Sequence, residues 1–439
     1  MPELLSDAWA RPRDLGIGEC LAKTVLLPVQ LLFSAPSFLF LGTLTAMLLR
    51  HPDVQFYAID RLAFVLLLVA VAGRAVLLRQ NVLVFERASW PMLGLTVFAL
   101  ASVAGPAFDQ QAWSLLASKL IVPFAMFHMA GLIFTNEARL RHFEVFCVVV
   151  LAYLTFTAIA FLSGTHALIF PRFILNPDLG IHADRARGPL LQAVANGVSL
   201  NVLGLVALHS YMRGRMRRPA IAVLLAGVPI AILATLTRAV WLSFAGALLA
   251  IGFLCWQPRS RRIFLAISVV AAAALALLFS SEQLRSTLDD RLNEEGPIEF
   301  RQAVYAGSWD MFLERPLTGW GFHRMPDELP RHVTGYHEKA LYPHNTYLEL
   351  LAEQGMVSFA LYVWLMWELW RLRRPVLPQH ENDEFLNCEF HRLWPIILGV
   401  YWLNAAVVVM SYQFVNALIF SMAGMLVAQR RRIALESPC

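Results

Sequence analysis

Long apolar segments separated by short polar ones dominate the chain, and few charges interrupt them. Runs such as 219–236 and 263–280 are close to the ~20 residues that a helix needs to cross the hydrocarbon layer of a membrane. Backbone groups in lipid must hydrogen-bond within their own segment, so such runs are expected to be helices. The pattern therefore predicts an all-α polytopic membrane protein with about twelve transmembrane helices. They are expected near 26–49, 59–78, 90–108, 114–134, 143–162, 189–211, 219–236, 239–256, 263–280, 356–371, 393–411 and 414–429.

Composition strengthens this prediction. The apolar fraction is 58% and the mean hydropathy is +0.57, whereas soluble domains are roughly 45–50% apolar. The net charge of +5 reflects basic membrane loops rather than a nucleic-acid surface, so no nucleic-acid partner is expected. The five cysteines share no zinc or redox spacing.

Arginines cluster in alternate loops, which predicts the orientation in the membrane. Because cytoplasmic loops carry an excess of basic residues, these loops are expected inside, with both termini in the cytoplasm. No cleavable signal peptide is recognisable in the first residues. The basic loops contain Arg79 and Arg87, Arg139 and Arg141, Arg213 to Arg218, Arg259 to Arg262, Arg371 to Arg374, and Arg430 to Arg432.

Two segments on the opposite, periplasmic side stand out by length. They span 163–188 and 281–345, the second too long for a mere connector. Within the second, Glu299 to Arg315 is predicted to form an amphipathic helix, followed by a turn from Pro316 to Gly321. The whole chain, 1–439, is expected to form one membrane-embedded domain with this large folded loop at the membrane surface. The apolar face of the predicted helix contains Phe300, Val304, Met311 and Phe312, with Tyr305 and Trp309 beside it.

Three arginines and a lysine lie where cations are costly. Arg238 stands between two apolar spans, where it either faces a cavity or a partner or extends outward from a short turn. Arg185 and Arg187 precede a span on the outer side, and guanidinium groups bind phosphate oxygens in pairs; a salt bridge with Asp184 is the alternative. Lys119 in the fourth span either contacts phosphate or extends outward, and the second interpretation is favoured.

Histidine is the natural general base near neutral pH, and the large loop contains four of them. His323, His332, His337 and His344 lack the spacing of a metal site. His344 differs because Asn345 and then an apolar span follow it directly; the alternative role is a cap of that helix. The acidic residues Asp289, Asp290, Glu294 and Glu295 are interpreted as a solvated charge run rather than a metal site.

These pieces together resemble the O-antigen ligase and polymerase family. His344-Asn345, nine residues and Gly355, with Ser358 three positions later, are similar to the family's His-Asn/Ser pattern. Thr237-Arg238 resembles its Ser/Thr-Arg turn between two spans. Further similarities are Arg187-Gly188 with Asn196, where Arg185 is a rival, and Arg301 and Trp309 with the stretch from Pro316 to Gly321.

The resemblance implies a GT-C-like membrane glycosyltransferase of the bacterial inner membrane with its active site facing the periplasm. An inverting, metal-independent reaction would move a glycan from undecaprenyl pyrophosphate to lipid A-core oligosaccharide, without a cofactor. His344 would be the catalytic base. Arg187 and Arg238, with Arg185 and Lys119, would bind the pyrophosphate, while Asn345, Gly355 and Arg301 would support the site. The apolar spans would form a groove for the polyprenyl tail, and membrane lipids would be further partners.

Two other functions remain open. A polymerase of the same family would use the same donor but transfer to another lipid-linked repeat. A polysaccharide transporter or flippase would be expected to show internal symmetry and charges along a path through many spans. Neither feature is evident, and the ligase is favoured. The sequence contains no signal for an oligomeric state.

Overall fold

The computed structural model describes residues 35–51, 59–77, 84–105, 108–254, 296–333, 342–374 and 384–436, with a few short pieces between them. Within these residues all regular structure is helical. The helices are α1 (Pro36–Leu48), α2 (Ile59–Leu77), α3 (Ser89–Ala104), α4 (Gln110–Ile133), α5 (Glu137–Leu162), α6 (Ala193–Arg213), α7 (Arg218–Ala234), α8 (Arg238–Leu254), α9 (Gly296–Glu314), α10 (Met325–Glu328), α11 (Thr346–Arg371), α12 (Cys388–Ala405) and α13 (Gln413–Glu436).

Each predicted span overlaps a helix where the structure describes it, although residues 189–192 and 406–411 lie outside helices. About half of the span at 263–280 is described, and it is helical there; the first part of 26–49, the acidic run and His337 lie outside the described residues. α4, α5, α6 and α11 are each long and apolar enough to cross a membrane, and α1, α3, α7 and α8 are shorter apolar helices. Several long apolar helices indicate an integral membrane protein.

Helix α6 forms the centre of the bundle. It packs against α5, α7, α8 and α12, and nearly all of its apolar length is buried inside the protein. A helix enclosed on all sides does not need an amphipathic pattern, because every face contacts other helices. The buried polar side chains of α6 are therefore placed to bond neighbouring segments, as Asn196 does near the candidate site.

Helices α4 and α13 cross at very short range. A methyl group added at Gly424 would overlap the carbonyl oxygen of Phe127, and one added at Gly131 would lie 3.2 Å from the carbonyl oxygen of Gly424. Small residues at such crossings let two backbones approach closely, which is a common way for helices to associate in membranes. Upstream of the crossing, α4 contains a π-helical turn at Ala117–Ile121.

The basic loops meet at one end of the bundle. Arg213 forms ion pairs with Glu137 and Glu144, the latter at 2.6 Å. Arg430 donates to the carbonyl oxygen of Arg371 at 2.6 Å, and Arg432 donates to that of Thr135. Segments predicted to share the cytoplasmic side are thus in mutual contact.

The predicted loop helix is present as α9, and it is anchored more firmly than the sequence indicated. Its buried residues Val304 and Met311 join a small apolar core with the segment around α10 and with Ala352 of α11. Trp309 lies off this face and is 47% exposed. The loop helix therefore packs on the first turns of α11. That helix also begins ten residues earlier than the predicted span, at Thr346.

Candidate functional site

Asn345, not His344, caps helix α11. Its Oδ1 accepts hydrogen bonds from the backbone N–H groups of Tyr347 (2.9 Å) and Leu348 (3.2 Å), as an N-cap residue does. His344 precedes the cap with a positive φ of 44°, a conformation that is uncommon for a side-chain-bearing residue. The alternative in which His344 itself caps the helix is therefore wrong, and its imidazole is not used for capping.

The His344 ring is half-buried beside α9. Its centroid lies 6.1 Å from that of Tyr342, and its carbonyl oxygen accepts from the Tyr305 hydroxyl at 3.5 Å. Among the described residues, none hydrogen-bonds to the ring. Burial, followed by the positive charge of Arg301, lowers the pKa of His344 below its usual value of 6.5. The imidazole is thus neutral near pH 7, the form that accepts a proton.

The other described loop histidines have different environments. His332 is held by its surroundings: one ring nitrogen lies 3.0 Å from the carbonyl oxygen of Glu328, and the other lies 3.1 Å from a carboxylate oxygen of Glu314. His323 is half-buried, and burial is the main cause that lowers its pKa. It belongs to the segment that docks on α11, described next.

Helix α11 is interrupted at Gly355, and the turn after α9 docks into the interruption. Gly355 has φ 70° and ψ −171°. The N–H of Met356 donates to the carbonyl oxygen of Pro316 at 2.8 Å, and the N–H of Gly321 donates to that of Glu353 at 2.7 Å. A methyl group at Gly355 would overlap the backbone of Leu317. Two stretches singled out separately in the sequence, 316–321 and 344–358, thus form one structural unit.

Lys119 is paired with a carboxylate that sequence reasoning missed. Its Nζ lies 2.8 Å from Oε1 of Glu349, which also accepts from the Tyr342 hydroxyl at 3.0 Å. Glu349 and Glu353, four residues apart on α11, are both buried. Lys119 therefore does not extend outward, and its charge is engaged within the protein. Acidic residues inside an otherwise apolar run were the signal available for Glu349 and Glu353.

A small cavity of about 80 Å³ extends beside this ion pair into the bundle. Lys119, Glu349 and Glu353 line it at one end, and Tyr401 and Asn416 line it further along. It has room for water molecules beside the ion pair.

Arg187 is committed to the backbone of the preceding loop. Its guanidinium donates to the carbonyl oxygen of Ile174 twice, at 2.9 and 3.1 Å, and to those of Asn176 and Leu179. The residue is 1% exposed, and burial lowers its pKa. The fork geometry expected to bind phosphate instead binds three backbone oxygens, so the structure gives Arg187 a role in shaping the loop.

Arg185 and Arg238 occupy different settings. The Arg185 Nε lies 3.8 Å from Oδ2 of Asp184, so the salt bridge considered as an alternative is present. Arg238 is exposed at the first position of α8, and within the described residues no hydrogen bond or ion pair engages its side chain. The N-terminus of a helix carries partial positive charge that favours anions. Arg238 therefore adds a full charge at a place already suited to an anion.

The two arginine segments are joined through their backbones. The N–H of Ala186 donates to the carbonyl oxygen of Ala234 at 3.1 Å, just before the turn that carries Arg238. The side chain of Asn196 donates to the carbonyl oxygen of Ala186 at 2.8 Å. Gly188 has a positive φ, and a methyl group there would lie 2.6 Å from Oδ1 of Asn196. The residues of the Arg-Gly…Asn pattern, 185–188 and Asn196, thus pack together, and we call this region the arginine corner.

The arginine corner and the histidine motif lie at the same end of the bundle. Helix α8, which starts with Arg238, packs against α12. The start of α6 lies beside the start of α8, because a methyl group at Gly197 would meet Val240, and the end of α6 lies beside the start of α12, because the His209 ring centroid is 5.4 Å from that of Phe390. The end of α12 and the start of α8 are therefore at the same end of α6. The loop after α12 holds the start of α11, because the Thr346 hydroxyl donates to the carbonyl oxygen of Val408 at 2.9 Å and accepts from the N–H of Met410 at 3.0 Å. In the described residues no direct contact joins Arg238 to His344.

Within the described part of the chain, no three His, Cys, Asp or Glu residues are grouped closely enough to hold a metal ion. Residues 220–363 match the family model described as O-Antigen ligase. No curated protein sequence matches the chain. The matched stretch includes Arg238, α9, the docked turn and the His344–Ser358 motif, but not the segment with Arg185 and Arg187. Residues 220–363 are therefore a domain of the O-antigen ligase family, whose members are enzymes that transfer glycans.

Proposed function

We propose that this protein is an O-antigen ligase, which moves a glycan from undecaprenyl pyrophosphate to the lipid A-core oligosaccharide. The observation that carries the proposal is the arrangement of His344. Its imidazole is neutral and half-buried, Asn345 takes over the capping, and the pair lies in the family's motif at the start of an apolar helix. Family membership supports lipid-linked glycans as substrates.

In the proposed reaction, His344 accepts the proton of an acceptor hydroxyl as that oxygen forms a bond to the anomeric carbon of the donor sugar. The bond between this carbon and the pyrophosphate oxygen breaks, and its electron pair leaves with the pyrophosphate. A single displacement of this kind inverts the anomeric centre. The proton on His344 then passes to solvent or to the leaving group, which restores the base.

Positive charge stabilises the leaving pyrophosphate as negative charge develops on it. Arg238 is the first candidate because it is exposed at a helix N-terminus. Arg185 lies in the corner joined to it, and we favour Arg185 over the backbone-bound Arg187. Arg301 lies close enough to His344 to lower its pKa, so it is placed to contact the donor near the base. We propose that these cations replace a divalent metal.

The proposed setting is the bacterial inner membrane, crossed by about twelve helices in a GT-C-like arrangement. The basic end of the bundle would face the cytoplasm, as the positive-inside rule expects. The end with His344 and Arg238 would face the periplasm, with α9 and the docked turn as its roof. Apolar grooves between helices would hold the polyprenyl tail.

Purified protein with a lipid-linked glycan and lipid A-core acceptor provides the direct test. We expect transfer with or without a chelator, and its loss in His344→Ala. His323→Ala is the matched control, since it removes a half-buried histidine of the same loop. Full activity of the His344 variant would overturn the proposal, and loss of wild-type transfer in chelator would contradict the metal-free mechanism.

A deletion strain distinguishes the ligase from its alternatives. Core oligosaccharide without any attached glycan would support the ligase. A single attached repeat would instead indicate a polymerase of the same family, and accumulation of the lipid-linked intermediate on the cytoplasmic side would indicate a flippase.

A further inference from the structure

A second cleft lies on the other side of helix α4 from the Lys119–Glu349 pair. It encloses about 490 Å³ between α2, α4 and the start of α13. The π-helical turn of α4 separates it from the small cavity at Glu349: Ala117, Ser118 and Ile121 line the cleft, whereas Lys119 lines the cavity. The cleft is therefore adjacent to the candidate site but distinct from it.

The lining of the cleft combines polar and apolar side chains. Arg50, Asp60, Arg61 and Ser114 are among the polar ones, and Phe64 and Trp113 are among the apolar ones. The Arg61 guanidinium uses one N–H on the Ser114 hydroxyl, at 3.3 Å. Guanidinium offers five N–H donors in a planar fork, so within the described residues most of its capacity remains for a ligand such as phosphate.

Asp60 provides an independent sign of a missing ligand. It is 1% exposed, yet within the described residues neither carboxylate oxygen accepts a hydrogen bond. Arg50 is paired with it at long range: its Nη1 lies 3.8 Å from Oδ2. The N-terminal end of α2 favours negative charge at this position but supplies no hydrogen bond. A buried carboxylate without donors is costly, so a donor from a ligand would satisfy it.

We propose that this cleft binds the head group of a phosphorylated lipid in the same leaflet as the candidate site. Arg50 and Arg61 would contact the phosphate, and Asp60 would accept from a hydroxyl or ammonium group next to it. The acyl chains would lie along Phe64 and Trp113. A phosphorylated amino-sugar lipid and phosphatidylethanolamine both carry this combination. Only the first would be an acceptor, and that identification rests on the proposed ligase function.

Native mass spectrometry of the full-length protein in detergent tests the site directly. The probes are bis-phosphorylated lipid A, phosphatidylethanolamine and phosphatidylcholine, the last of which has a phosphate but no hydrogen-bond donor on its nitrogen. We expect one of the first two to bind at least ~10-fold more tightly than phosphatidylcholine, a difference that about 1.4 kcal/mol produces. Tighter binding of lipid A supports an acceptor site, and tighter binding of phosphatidylethanolamine supports a site for a bilayer lipid.

Variants then assign the contacts. Arg61→Ala and the milder Arg50→Gln should each weaken the preferred lipid about 10-fold or more, and Asp60→Asn should reduce the discrimination against phosphatidylcholine. Arg331→Ala removes an exposed arginine of the large loop, whose guanidinium pairs with Glu328, and should leave binding unchanged. Equal binding of all three lipids, or variants that bind like the wild type, would overturn the proposal.

The test also separates this site from the proposed reaction. His344→Ala should lower glycan transfer by ~10²–10⁴-fold while leaving lipid binding in the cleft intact. Transfer that depends on His344 without selective lipid binding would refute the cleft alone, and selective binding without transfer would refute the ligase alone.

Discussion

At the scale of single residues, His344 and Asn345 divide two tasks between neighbours. The amide of Asn345 satisfies the first N–H groups of α11, and the positive φ of His344 turns the chain just before the helix. The sequence singled out this pair but left open whether His344 was a general base or the cap of the helix. Only backbone geometry decides between them.

The base is tested by substitutions that separate chemistry from capping. His344→Ala should lower turnover by ~10²–10⁴-fold, the range for a positioned general base. His344→Asn should be equally impaired, because the capping position is already filled. Asn345→Ala should instead lower the stability of the protein by about 1 kcal/mol, the usual cost of a lost cap. Turnover and thermal unfolding of the three variants are the measurements, and an active His344→Asn protein would exclude the base.

The pH dependence of the reaction should reveal Arg301. Its positive charge disfavours protonated His344 and so lowers the pKa of the imidazole, in addition to burial. Arg301→Gln removes this charge, the pKa should rise, and the acidic limb of the kcat/KM profile should move to higher pH. Arg331→Gln is the control, with no shift expected. An unmoved limb in Arg301→Gln would show that the limb reports another group.

Arg187 and Arg238 should fail in different ways. Arg187→Ala removes the donor from the buried carbonyl oxygen of Ile174 and from the part-buried ones of Asn176 and Leu179. An unsatisfied buried acceptor costs about 1–3 kcal/mol, so the melting temperature should fall. Arg238→Lys keeps the charge of an exposed residue but loses the paired geometry, so transfer should fall while the melting temperature stays. The resemblance treated both as phosphate ligands because side-chain direction is not visible in a motif. A stable Arg187→Ala protein that fails only in donor binding would restore that role.

At the scale of elements, the nine residues between Asn345 and Gly355 form the first part of helix α11. Nine residues rise about 14 Å along a helix, which separates the capped end beside His344 from the interruption that receives the docked turn. The spacing was visible in the sequence. Its cause was not, because the partner stretch from Pro316 to Gly321 lies far enough away in the chain that only the fold brings the two together.

Gly355→Ala tests this junction. The new methyl group would meet the backbone of Leu317, and the positive φ would be strained. Strain of this kind costs of order 1–3 kcal/mol, so both the melting temperature and transfer should fall. Gly42→Ala in α1 is the matched control, because a methyl group there meets nothing within 4 Å, and alanine favours a helix by up to about 1 kcal/mol. Equal stability of the two variants would contradict the described junction.

At the scale of the whole molecule, the basic loops that alternate along the chain meet at one end of the helix bundle. The segments that carry Arg238 and His344 lie at the other end. The sequence predicted the helices well because apolar runs and basic loops are local signals. It did not predict that α6 would be central, nor that Lys119 would pair with Glu349, because those depend on which helices are neighbours. The partner of Lys119 is far away in the sequence, and the partners of Arg187 are backbone carbonyl oxygens, which any residue type supplies. No spacing rule could therefore identify either set of partners.

Accessibility labelling tests the assignment of the two ends. In a cysteine-free background, Leu317→Cys in the docked turn should react with an impermeant reagent applied from the periplasm, because Leu317 is largely exposed. Arg215→Cys, in a basic loop at the other end, should react only after the membrane is opened. Periplasmic labelling of both would refute the proposed topology and the periplasmic site with it.

The docking of the turn at Gly355 also bears on how substrates reach the enzyme. Hydrogen bonds from the N–H groups of Met356 and Gly321 hold the docked turn against α11. That side of the roof therefore cannot move away from the membrane helix without breaking these hydrogen bonds. In the proposed reaction both lipids would then enter and leave sideways, within the plane of the bilayer. The encounter becomes a two-dimensional search, whose rate follows the number of lipid carriers per unit of membrane area rather than their concentration in the surrounding volume.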